Sequence, residues 1–248
     1  MRLLTDSLEA YVESLSLISV FGFLVFAVML LLLGMFTYVV VGAGFVRYAD
    51  VLAGAIPIAD ALILIIVGIV SLFSVSFLST AVTLIVKLRR SMDDLHFTKL
   101  LVKFPRYVLR LMIAWGIIGV VTFLIGLVFN AVGLPPFTTA LAMLVLWAPF
   151  IFLPQSMILH DKEFVDALKD CVKYCLRKPL GVVVYYILTT FLLAFLLVID
   201  VGLGQTGIFW LPVLVDTLLL FLFVIPYLEV LKANLYLTQY RLLLSGLK

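Results

Sequence analysis

From Leu111 to Leu159 the chain carries no charged residue, a run of 49 positions. A helix crossing the ~30 Å hydrocarbon core of a bilayer needs about 20 apolar residues, so this run alone holds two crossings. Composition points the same way. Of 248 residues, 65% are hydrophobic and 12% charged, with mean hydropathy +1.31, whereas a soluble domain carries about 25% charge. These values exclude an ordinary globular domain, a disordered chain, a disulfide scaffold and a nucleic-acid binder. The expected fold is an all-α, polytopic bundle forming one transmembrane domain over residues 1–248.

Breakers divide the apolar runs into six spans. Gly133-Leu134-Pro135-Pro136 splits the uncharged run, because adjacent prolines cannot continue a helix. The spans fall at about 17–41, 61–86, 111–132, 137–159, 180–200 and 208–231. Gly42 and Gly44 close the first, Pro179 opens the fifth, and Pro226 kinks the sixth. Pro149 and Pro154 should bend the fourth and free backbone carbonyls. With both termini inside, 16 of the 17 Lys and Arg residues are cytoplasmic, and Arg47 is the exception. Cytoplasmic loops retain basic residues, so this partition supports an even span count in a plasma or inner membrane. Acidic Asp6, Glu9 and Glu13 near Met1 are the wrong sign for a signal peptide.

The segments between spans read as interfacial amphipathic helices at about 3–15, 93–110 and 161–178. In the third, Asp161, Lys162 and Glu163 open the helix and Arg177 and Lys178 close it, matching the helix dipole. Phe164, Leu168, Cys171, Val172 and Cys175 form its apolar stripe. In the first, Leu4, Leu8, Tyr11 and Leu15 share a face. Lys99, Lys103, Arg106, Lys169, Lys173, Arg177 and Lys178 are then the headgroup-binding candidates. The partners expected are the bilayer itself, anionic headgroups at the cytoplasmic face, and another membrane protein or a second copy; nucleic acid is not among them.

The stretch from Pro154 to Lys169, PQSMILHDKEFVDALK, ends an apolar span in an acidic turn leading to an "AL" helix. With the closing Asn234–Arg241 segment, NLYLTQYR, it resembles a six-span membrane family. That family includes the membrane domain attached to some glycerophosphoryl diester phosphodiesterases and free-standing bacterial and archaeal relatives. The likeness covers about 150–241 and implies a fold and a location. The phosphodiesterase chemistry belongs to a separate soluble domain, so no catalytic residue carries over.

Asp216 lies about 12 Å into the sixth span at 1.5 Å per residue. A carboxylate at that depth costs about 2.5–3.5 kcal/mol, which makes it a candidate ion or proton site, with Asp60 and Asp200 at span ends on the same side. Against this stands a carboxyl hydrogen-bonded near the interface. Ser76, Ser79, Thr80 and Thr83 form a hydroxyl stripe in the second span, either a pathway or a packing surface. Cys171 and Cys175 are one turn apart, but two thiols fall short of a zinc site. Asp166 and Asp170 match the DxxxD of membrane phosphotransferases without a second acidic cluster. No HExxH, GxSxG or phosphate loop is present. The expectation is a protein without catalytic activity, cofactor or metal, acting as an accessory or scaffold module. The alternative is an ion or small-solute transporter using Asp216 and the stripe.

Overall fold

The structure, a computed structural model, describes residues 2–43, 58–90, 97–133, 135–205 and 210–239. Their regular structure is entirely helical: α1 (Arg2–Ala43), α2 (Ile58–Arg90), α3 (Phe97–Ala131), α4 (Pro136–Trp147), α5 (Leu153–Leu159), α6 (Phe164–Arg177), α7 (Pro179–Gly204), α8 (Trp210–Leu219) and α9 (Ile225–Gln239). A 3₁₀ segment, Ala148–Phe152, joins α4 to α5, and a π segment, Leu220–Val224, joins α8 to α9. Gly44 and Arg47 lie outside the described residues.

Among the described residues, five stretches are long and apolar enough to cross a membrane: Thr5–Leu30, Ile65–Leu88, Val102–Phe129, Pro179–Gly204 and Leu214–Leu237. Their outward faces are also apolar. Ile187, Phe191 and Val198 on α7, and Val120 and Leu124 on α3, are exposed. A surface of that kind suits lipid rather than water. The protein is therefore a helical, membrane-embedded bundle. Residues 137–159, expected as one span, form two short helices and the 3₁₀ link; the apolar helix recorded there is the shorter Val145–Leu159. Pro149 at the start of the 3₁₀ segment and Pro154 just after it each remove a backbone donor, which accounts for the interruption.

Two expected boundaries are not breaks. The helix expected at 3–15 is continuous with the first span, because the acidic residues point outward while Ser7, Tyr11, Ser14, Ile18, Gly22 and Val25 form one buried seam. Their three- and four-residue spacing is that of a coiled-coil contact line. Leu8, expected on the apolar face, is 52% exposed. Likewise the helix expected at 93–110, whose residues 93–96 lie outside the described residues, runs from Phe97 straight into the third span through Pro105, which costs one hydrogen bond without ending the helix. The break at Gly133, φ +75°, falls where expected.

α9 is the centre of the bundle. Residues 228–237 are buried throughout, and α9 packs on α1, α2, α5 and α7. On one side, Val230, Ala233 and Leu237 meet Ile18, Leu78 and Val82. On the other, Leu228, Leu231 and Tyr236 meet Leu111, Phe152, Tyr174 and Tyr185. Polar contacts align the helix ends. Asn234 Nδ2 donates to Ser7 Oγ at 3.0 Å, Lys87 Nζ to the Ile158 carbonyl at 2.8 Å, and Arg110 pairs with Asp161 at 3.5 Å. The starts of α1 and α3 and the ends of α2, α5 and α9 thus gather at one end, here called the basic end.

Candidate functional site

The charged centre of the bundle is built around Glu229. It lies one turn into α9, just past the π segment and Pro226, and it is only 5% exposed. Ser79 Oγ donates to its Oε1 at 2.7 Å, and Gln155 Nε2 donates to its Oε2 at 2.9 Å. Lys232, one turn further and 6% exposed, donates to Oε1 at 2.5 Å. Lys232 Nζ also stands 3.5 Å from the Ile151 carbonyl, inside the 3₁₀ segment, and 5.9 Å from the Tyr185 ring centroid. An isolated charge in such a place would cost several kcal/mol. The pair is neutral overall and is held by α2, α5 and α9 together.

Of the hydroxyl stripe, all four members are buried and only Ser79 reaches the carboxylate. Ser76 Oγ, Thr80 Oγ1 and Thr83 Oγ1 have no hydrogen-bond partner among the described residues, nor do Gln155 Oε1 and Ser156 Oγ. The oxygens gathered at this point are those of the Glu229 carboxylate, Ser79 and the Gln155 amide, the hard donor type that oxygen-seeking cations use.

Asp216 sits elsewhere. Thirteen residues before Glu229, it is about 20 Å away along the helix axis. It is half-buried against α7, near enough to Asp200 for the two carboxyls to interact. The structure thus sets two of the predicted acids near each other, and brings Ser79 of the stripe to Glu229 instead. Asp60 lies in α2, but its side chain is outside the described residues, as is that of Lys99.

At the basic end, Asp161 takes a left-handed φ of 50° in the turn between α5 and α6. There its carboxylate faces Arg110 and Lys103, at 3.5 and 3.9 Å, rather than capping α6. Asp166 pairs with Lys169 at 3.3 Å, and Asp170 with Lys162. The DxxxD carboxylates are therefore engaged separately, and no cluster of metal-ligating residues occurs among the described residues. Arg106, Lys173, Arg177 and Lys178 are exposed. The α6 stripe turns inward, with Cys171 buried and Phe164, Leu168 and Cys175 packed on the core, but Val172 points out and Ala167 and Tyr174 complete the buried side. Burial pushes the Cys175 thiol up to about 11 and raises that of Cys171 as well. Both are therefore poor thiolates.

Glu229 and Lys232 were not singled out by sequence reasoning. A sixth span bounded at about 208–231 leaves Lys232 just beyond it and passes over Glu229 in its last turn. The signal was their i, i+3 spacing inside the apolar stretch Leu214–Leu237, which lets opposite charges cancel on one helix face. No known family, curated protein or solved structure matches the chain.

Proposed function

We propose that the chain is a six-crossing, non-catalytic membrane protein that moves protons or small cations through a site built on Glu229. In this reading residues 136–159 supply the remaining crossing. Laid end to end, α4, the 3₁₀ segment and α5 measure about 38 Å, enough for a ~30 Å core. The gathering of helix ends at the basic end supports an even number of crossings. By the positive-inside tendency that end faces the cytoplasm, with both termini there.

The observation that carries the reading is a buried ion pair at the place where two interrupted helices meet. Ionisable residues inside a membrane span mark pathways by default, and transporters place coupling sites where broken helices free their carbonyls. Here the Ile151 carbonyl of the 3₁₀ segment faces Lys232, and Glu229 follows the π segment. Glu229, Gln155 and Ser79 supply the oxygens, and Lys232 is a tethered cation that an incoming charge would displace.

The test is flux in proteoliposomes. Wild-type protein should pass protons or a monovalent cation faster than empty vesicles, and Glu229→Gln, nearly isosteric, should fold and lose that flux. Wild-type vesicles no leakier than empty ones would overturn the reading. They would leave the scaffold reading, which one observation favours: Glu229 already accepts from both α2 and α5, as a clamp between helices would.

A further inference from the structure

A helix sealed along one side ordinarily turns a polar face to the opposite side. α6 does not. Its inner side is buried through Ala167, Cys171 and Tyr174, yet the opposite side carries Val165, Val172 and Leu176, exposed by 60%, 42% and 78%. At i, i+7 and i+11 these three lie along one line of the helix. Lys169, Lys173 and Arg177 run beside them at i, i+4 and i+8, and the two rows line a shallow cleft of about 700 Å³.

In water such a surface is unfavourable, because it leaves a row of valine and leucine side chains in contact with solvent. At a bilayer boundary it is favourable. The apolar side chains enter the acyl region while the long basic stems reach back to the headgroups. The position fits. α6 leads through Lys178 directly into Pro179, the first residue of a membrane-length apolar helix, and the next residue, Leu180, is exposed. The charge fits as well. Lys169 is balanced by Asp166, but Lys173, Arg177 and Lys178 make no ion pair among the described residues. By contrast, Lys103 and Arg110 on α3 already face Asp161.

We infer that the outward row of α6, Val165, Val172 and Leu176 with Lys169, Lys173 and Arg177, is a docking surface for the headgroup layer of anionic phospholipid. This requires only that the chain lie in a bilayer, and does not rest on transport by Glu229. A ligand that binds the closed helix and not its opened form slows local opening. The experiment is therefore hydrogen exchange over residues 164–177 of the full chain, in nanodiscs of phosphatidylcholine alone and of phosphatidylcholine with phosphatidylglycerol. Each basic residue at an anionic surface is worth roughly a fivefold preference, so three together give on the order of 100-fold at most. Exchange should slow several-fold or more in the anionic discs. The variant K169Q/K173Q/R177Q, altered only at the surface, should exchange equally in both. Equal wild-type exchange in the two lipids would overturn the inference. So would slowing that follows protein concentration regardless of lipid, which would make the occupant a second copy.

Discussion

The Tyr11 hydroxyl donates to the carbonyl of Leu222 at 2.8 Å, across 211 residues of sequence. That carbonyl lies four residues before Pro226, whose ring nitrogen has no hydrogen to give it. A side chain from α1 thus supplies the donor that the last helix lacks, as neighbouring helices commonly do in membranes.

Removing the hydroxyl with Tyr11→Phe should cost about 1–3 kcal/mol, the penalty for a buried acceptor left unserved. In a Pro226→Ala background, where the backbone can donate again, the same change should cost clearly less. Reversible unfolding in mixed detergent micelles measures both, and equal costs in the two backgrounds would separate Tyr11 from the proline.

Glu229 and Lys232 should behave as a unit. Lys232→Met alone strands a buried carboxylate and should destabilise by about 3–5 kcal/mol. Adding Glu229→Gln removes the stranded charge, so the double variant should recover most of that loss. Additive losses in a double-mutant cycle would show that the two residues act independently.

Gly22 is a point of close approach. A Cβ there would meet the Phe221 carbonyl oxygen and Leu222 Cδ2, each at 2.9 Å. Backbone oxygen yields little, so Gly22→Ala should cost about 1–3 kcal/mol. Gly119 has open space around it, and Gly119→Ala should be neutral or stabilising by up to about 1 kcal/mol. The same unfolding assay ranks the two.

His160 follows α5 at the basic end, with its ring 5.5 Å from that of Tyr236. Burial, then the Lys162 charge, lowers its pKa below the ordinary value of about 6.5. As pH falls, the unfolded chain therefore takes up the proton first. The stability due to neutral His160 is complete above about pH 6.5 and is lost as pH drops through the lowered value. Wild-type unfolding should weaken over that window, and His160→Gln should flatten the dependence.

Much of the helical frame was legible because its signals are local. Gly133 with Pro135, Pro149 with Pro154, and Pro179 each mark an end or a break that the structure contains. The misplaced boundaries share one cause. Asp6, Glu9 and Glu13, and similarly Lys103 and Arg106, suggested that the helix had left the apolar layer. Charge on one face, however, does not stop a helix whose other face is packed. The candidate site was legible in part. Ser79 stood out by its spacing and Gln155 directly follows Pro154, but their shared partner lies 150 and 74 residues downstream. Nothing in the local pattern ties a hydroxyl stripe to one carboxylate rather than another, so the stripe was matched with Asp216, the more conspicuous acid.

The interrupted helix has a consequence for the order in which the chain is made. Gln155 is synthesised 74 residues before Glu229, and the Ile151 carbonyl 81 before Lys232. At about 5–20 residues per second, the interval is roughly 4–15 s. Throughout it, an amide lies in an apolar setting without its acid. The segment from α4 to α5 therefore packs provisionally and takes its final seat only when α9 arrives. The Glu229 site is completed only when α9 arrives, and truncation before Glu229 should leave the segment from α4 to α5 unsettled.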